Sequence, residues 1–159
     1  MMTIQANLLD TQFQFVAHQV NCRGVMGAGV AKALNEVTGG KLLKEYREFI
    51  EEMNEYGEDL LGKCHRYHAK NGRIIFNLFA QRDYGTSKCQ TNYEALRKSI
   101  TEGINMIWSD YYKEDGCQMC IAIPYKMGCG LAGGDWNKVT EILEEIEQEY
   151  NVLFIAHKI

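Results

Sequence analysis

FVAHQVNCRGVMGAGVAKALNEV, residues 15–37, carries the fold in a single stretch. Phe15 to Val20 is a short apolar run of the kind that forms a buried strand. Glycines at 24, 27 and 29 interrupt it, and from Gly27 the period changes. Val30, Ala33, Leu34 and Val37 recur at spacings of three and four, which predicts a helix with one buried face. A strand that enters a glycine bend and leaves as a helix is the building unit of α/β sheets.

The same alternation continues outward. Leu42, Leu43, Tyr46, Phe49, Ile50 and Met53 predict a second amphipathic helix, with Gly57 closing the region after it. Leu60–Tyr67 and Arg73–Phe79 read as two strands joined around Asn71-Gly72, a dipeptide that favours a tight hairpin because both residues tolerate positive φ. Thr91-Asn92-Tyr93-Glu94 matches a capping box and predicts a helix with Leu96, Ile100, Ile104, Ile107 and Trp108 inward. Met119–Ile123 reads as a central strand. A helix follows from about Trp136, with Val139, Ile142, Leu143 and Ile146 buried, and Val152–Ala156 is a last buried strand. No repeat, linker or low-complexity tract divides the chain, so residues 1–159 are expected to form one domain.

Composition excludes several classes. Apolar residues make up 46% and charged residues 24%, ordinary values for a globular protein. A net charge of −4 and a pI near 5.6 argue against a grip on long nucleic acid. The start, Met1-Met2-Thr3-Ile4-Gln5, lacks the basic and apolar regions of a signal peptide, and no run approaches the roughly 18 apolar residues of a membrane span. A cytoplasmic, monomeric protein with no membrane partner is the expectation, its six cysteines reduced. Cys117 and Cys120 form a lone Cys-x-x-Cys without a second pair. Cys64, His65 and His68 fall on a predicted strand whose side chains alternate between faces. No metal site is therefore expected.

Chemistry concentrates in two glycine-rich segments, each between a predicted strand and a predicted helix. They are Gly24-Val25-Met26-Gly27-Ala28-Gly29 and Gly128-Cys129-Gly130-Leu131-Ala132-Gly133-Gly134. Glycine lets a backbone take positive φ and turn N–H groups onto a phosphate, and an adjoining helix N-terminus adds favourable potential. Two such bends facing each other would hold a diphosphate. By spacing alone the pair reads equally as two ordinary glycine turns, since neither contains a complete dinucleotide fingerprint or a Gly-Lys-Ser/Thr ending.

Asn21 with Val25-Met26-Gly27-Ala28-Gly29-Val30-Ala31 resembles the first ligand loop of macrodomains. Ile123-Pro124-Tyr125-Lys126-Met127-Gly128-Cys129-Gly130-Leu131-Ala132-Gly133-Gly134-Asp135-Trp136 resembles the second. Ala6-Asn7-Leu8-Leu9 stands where that family has a Gly-Asp-Leu/Ile turn, and Asn77-Leu78-Phe79-Ala80-Gln81 is similar to its intervening strand end. The likeness leans toward the subgroup of ADP-ribose-1″-phosphate phosphatases and the terminal ADP-ribose glycohydrolase, known also from phages and bacteria. It implies a three-layer α/β/α fold with a mixed, roughly six-stranded sheet and a small-molecule ligand, ADP-ribose or a derivative. It further implies Asn7 and Leu8 near the adenine, with Asn replacing the family's Asp. Asn21 would reach the distal ribose, and Tyr125 would lie against the adenosine side. The backbones of Met26, Gly27, Ala28, Gly29 and Val30, and of Gly128, Cys129, Gly130, Leu131, Ala132 and Gly133, would wrap the diphosphate and distal ribose.

The glycohydrolase branch carries a catalytic lysine at the intervening strand end and an aspartate after Gly-Cys-Gly-Leu. Here those places hold Gln81 and Ala132, which argues against that mechanism. The expected activity is removal of the terminal phosphate of ADP-ribose 1″-phosphate without a cofactor, with Asn21 and Asp135 as candidate catalytic residues. Asp135 also suits a helix N-cap. The alternatives are a non-catalytic reader of ADP-ribose or a related nucleotide signal, and a lysine-independent hydrolase removing ADP-ribose from macromolecules. His18 reads as a hydrogen-bonded core histidine, and Cys22 and Cys129 lack an assigned base.

Overall fold

The computed structural model describes residues 1–110 and 118–159 of the chain; Cys117 of the Cys-x-x-Cys falls outside them. The chain order is β1 (Met2–Gln5), a 3-10 turn (Leu8–Asp10), β2 (Phe15–Asn21), α1 (Gly29–Val37), α2 (Lys41–Glu55), β3 (Cys64–His68), β4 (Ile74–Gln81), α3 (Tyr93–Asp110), β5 (Met119–Pro124), α4 (Trp136–Glu149) and β6 (Val152–Lys158). The six strands form one sheet in the order β1-β6-β5-β2-β4-β3. Only the edge pair β3/β4 is antiparallel, so the sheet is mixed as expected.

Strand alternation divides the core in two. Phe15 and Ala17 of β2, Ile74, Phe76 and Leu78 of β4, and Ile121 and Ile123 of β5 face Leu96, Ile100 and Ile104 of α3 and Val139, Leu143 and Ile146 of α4. Val16, Val20, Ile75 and Phe79 face the opposite layer, where Leu34 of α1 and Leu42 and Tyr46 of α2 pack. The result is the three-layer α/β/α arrangement. Burial on both faces explains why β2 and β4 carry apolar residues at successive positions rather than strictly alternating ones.

The chain leaves β2 toward one side of the sheet and β5 toward the other. These two strands are parallel neighbours, with Phe15 opposite Ile121 and Val16 opposite Ala122. Their carboxyl ends form the topological switch point where open α/β sheets bind ligands. Both glycine bends leave from this point.

Several local expectations are corrected. The parallel edge strand β1 was not foreseen; its four residues are too few and too exposed to show a period. β3 begins at Cys64 rather than Leu60. In the hairpin only Gly72 has positive φ, at 87°. Gly72 N–H donates to Ala69 O and Ala69 N–H to Arg73 O, while Asn71 Oδ1 accepts the Arg73 amide. Val30 and Val37 are exposed, leaving Leu34 as the buried residue of α1. Asn92, not Thr91, caps α3: its Oδ1 accepts the Ala95 amide at 3.0 Å, which frees the Thr91 hydroxyl for the second bend.

Candidate functional site

Asn21, the last residue of β2, shapes the first bend. Its Oδ1 accepts the amides of Arg23 at 2.9 Å and Val25 at 3.3 Å, and its Nδ2 donates to Val25 O at 2.8 Å. The buried Tyr46 hydroxyl of α2 donates to Asn21 O at 2.6 Å and accepts the Gly24 amide at 3.1 Å. Burial pushes the Tyr46 phenol well above its ordinary range, so it stays a donor. Arg47 Nε donates to Gly24 O at 2.9 Å. Helix α2 thus pins residues 21–25, and the chain turns into α1 behind Ala28, a residue with no side-chain cap to offer. Among the described residues, the amides of 26–31 meet no protein acceptor. An uncapped first turn with open N–H groups is a site for an anion.

The second bend follows β5. Lys126 sits in the left-handed region at φ 58°, the one described non-glycine residue to do so. Inside the bend, Cys129 N–H donates to Lys126 O, Gly133 N–H to Gly130 O and Gly134 N–H to Gly128 O. The amides of Gly130, Leu131 and Ala132 remain open. Of the expected Cys129–Gly133 stretch, the Cys129 and Gly133 amides are bonded within the turn and neither residue lines the cleft. Thr91 fixes the bend from below, donating to Gly128 O at 2.6 Å and accepting from Gln19 Nε2 at 2.9 Å. Gln19 Nε2 also donates to Gln81 Oε1 at 2.8 Å, and Gln81 Nε2 to Asp83 O at 2.7 Å. One hydrogen-bonded chain therefore ties the ends of β2 and β4 to the second bend.

The bends face each other closely enough that a Cβ on Gly29 would lie 3.9 Å from Leu131 Cδ1. Between them is a cleft of about 610 Å³, within the roughly 300–1,000 Å³ of small-molecule sites. It brings together Asn21, Met26, Gly27, Ala28, Gly29, Val30, Tyr125, Gly128, Gly130, Leu131 and Ala132 of the expected residues. Asn7, Leu8 and Asp135 are not on its wall. Asn7 caps the 3-10 turn through its Oδ1, Leu8 is buried in the core, and Asp135 caps α4 by accepting the Asn137 amide at 2.9 Å.

Lys126, Tyr84, Thr86 and a polar floor of Gln19 and Gln81 also stand on the wall, unmarked by the sequence pattern. Gln19 sits in an apolar strand, and nothing local marks it; only the register with Gln81 and the approach of Thr91 give it a role.

No aspartate or glutamate lines the cleft among the described residues. His18 reaches its floor but is fully buried and donates through Nε2 to Asn77 Oδ1 at 2.5 Å; burial lowers its pKa to about 4 despite that bond. It is neutral at physiological pH. Burial raises the thiols of Cys22 and Cys129 to about 11, the latter helped by Asp135, so neither is a thiolate nucleophile.

Solved structures share this architecture. A protein of Bacteroides thetaiotaomicron superposes with TM-score 0.76 at 22% identity, covering 98% of this chain and 98% of its own. The macrodomain of Thermus aquaticus DarG gives 0.73 at 20% identity over 99% of this chain and 97% of its own. Thermosipho africanus DarTG in complex with ADP-ribose gives 0.64 at 18% identity, covering 98% of this chain and 40% of that one. At such identities the likeness speaks for the fold alone. No curated protein matches the chain. The Macro domain family model matches residues 17–143, which run from β2 into α4 and contain both bends. The chain belongs to the Macro domain family.

Proposed function

We propose that the cleft binds ADP-ribose or a close derivative, with the diphosphate on the main-chain amides of the two bends, and that the bound nucleotide is read rather than turned over. The observation that carries this is the cleft wall itself. Residues 26–31 and 130–132, whose amides have no protein acceptor, line a space with no carboxylate among its described lining residues. An anion meets N–H donors and the start of α1 without like-charge repulsion. The family membership and the ADP-ribose complex of the Thermosipho africanus protein support the choice of ligand.

Turnover needs a group to activate water. The wall's titratable side chains are the neutral, bonded His18, two tyrosines and Lys126. Asp135 is occupied as a cap outside it. Asn21 retains one Nδ2 hydrogen for a ligand hydroxyl, a positioning contact rather than a base. Titration calorimetry with ADP-ribose, with product analysis of the same mixture, tests the reading. Binding without product is expected; no heat of binding refutes it.

Phosphate removal from ADP-ribose 1″-phosphate is the second reading, favoured by the same amides, which could stabilise charge developing on a transferred phosphoryl group. Release of inorganic phosphate at stoichiometric enzyme would establish it in place of the first.

A further inference from the structure

The two ends of the cleft differ in charge. At the β4 end, Arg23 pairs with Asp83 at 3.3 Å and Arg82 with Asp59 at 3.3 Å, so both arginines there already have carboxylate partners. At the β5/β6 end, Lys126 on the cleft wall and Lys158 outside its lining approach one ring: their ammonium nitrogens lie 5.8 Å and 4.7 Å from the centroid of Tyr125. Neither ammonium pairs with a carboxylate among the described residues. They come from different elements, brought together because Pro124 at the end of β5 is in register with His157, the residue before Lys158. Tyr125 is itself held: its amide donates to His157 O at 3.0 Å, and its ring packs edge-on against Trp136 at 5.4 Å.

Two like charges on one rigid aromatic ring repel each other, and Lys126 holds its place in a left-handed backbone conformation that is strained for a non-glycine residue. The arrangement becomes favourable when an anion sits between the ammonium groups. The diphosphate is not that anion, because the amides of the two bends already supply its donors. Tyr125, backed by Trp136, offers the held aromatic face on the cleft wall, whereas Tyr84 at the other end is 56% exposed. A nucleoside base packed against that ring would displace an ammonium group from its face and leave both lysines beside the base. Its ribose is then the part of the ligand nearest the lysines.

We propose that Lys126 and Lys158 form a second anion subsite, and that the cleft prefers a nucleotide carrying an extra phosphomonoester on its adenosine ribose. This rests on the proposed binding of the ADP-ribose class. Lys126 and Lys158 supply the charge, and Tyr125 sets the distance between base and phosphate.

The test is calorimetry at about 50 mM salt with two ligand pairs: 2′-phospho-ADP-ribose against ADP-ribose, and 3′-phospho-ADP against ADP. At least one phosphorylated member should bind about tenfold or more tightly than its parent. That ratio should shrink as salt is raised, since exposed ammonium groups are screened. In the double variant Lys126→Gln/Lys158→Gln it should fall to about twofold or less, with circular dichroism verifying the fold. Equal affinities within both pairs overturn this proposal while leaving the ADP-ribose reading intact. A preference that survives in the folded double variant overturns the assignment to these lysines. No binding of any of the four ligands overturns both readings.

Discussion

Acid should unfold this protein through a histidine beneath its cleft. His18 is fully buried; its Nε2 donates to Asn77 Oδ1 and its Nδ1 has no partner. Burial lowers its pKa from 6.5 to about 4, with the Asn77 hydrogen bond opposing the fall. A base with a depressed folded pKa favours the native state above the unfolded value, and that advantage is lost as pH drops from 6.5 toward 4. Integrated over this window, His18 alone removes about 3 kcal/mol of stability. With an unfolding slope of about 2 kcal/mol per molar urea, the midpoint moves down by roughly 1.5 M. His65, lowered to about 4 by burial first and then by the charges of His68 and Arg66, adds to the slope in the same direction. Urea titrations from pH 7.5 to 4 on the wild type and on His18→Leu isolate the His18 part, because surface carboxylates titrate alike in both. The variant should start lower, having left Asn77 Oδ1 unbonded, but should lose about 3 kcal/mol less across the window. Parallel profiles would refute the argument.

Other outcomes are equally specific. Gly29→Glu puts bulk and negative charge at φ 60° where the diphosphate is proposed to sit; ADP-ribose affinity should fall by about two orders of magnitude or more in a folded variant, read by calorimetry. Gly128→Ala should cost about 2–3 kcal/mol in urea unfolding, since its Cβ would stand 2.7 Å from Gln19 Oε1 at a φ of 77°. Asp135→Ala should lose about 1 kcal/mol as a missing helix cap and leave ADP-ribose affinity within twofold; a large loss of affinity would return Asp135 to the site. Thr91→Val leaves the Gly128 carbonyl with the Gly134 amide alone and strands one Gln19 donor hydrogen, so the second bend should loosen, raising amide exchange at 128–132 and weakening ADP-ribose binding severalfold.

The two bends are legible in the sequence because they are made of backbone. Glycines between a strand and a helix leave a visible pattern, and the structure puts the two bends side by side. Side-chain placement was much less legible. Asp135 serves as a cap, and Asn7 turns onto its own chain rather than into the cleft. Both outcomes rest on short polar side chains choosing a local amide over a distant partner, which spacing alone does not reveal. The bonding of the Cys129 and Gly133 amides within the turn is hidden from the sequence for a related reason. Within a glycine-rich bend, which N–H groups close turns and which stay open depends on φ values that glycine leaves unrestricted.

By itself the sequence determined most of the elements: apolar period separates strand from helix, and the two-sided burial of β2 and β4 shows in apolar residues on both alternating positions. Only the tertiary structure decided which strands are neighbours. The pairing of β2 with β5 joins residues more than 100 positions apart, and it alone turns two separate glycine bends into opposite walls of one cleft. The same long-range pairing, β5 with β6, carries Lys158 to Tyr125. Local propensity acts over a few residues, whereas strand order follows from burying both faces of the whole sheet at once.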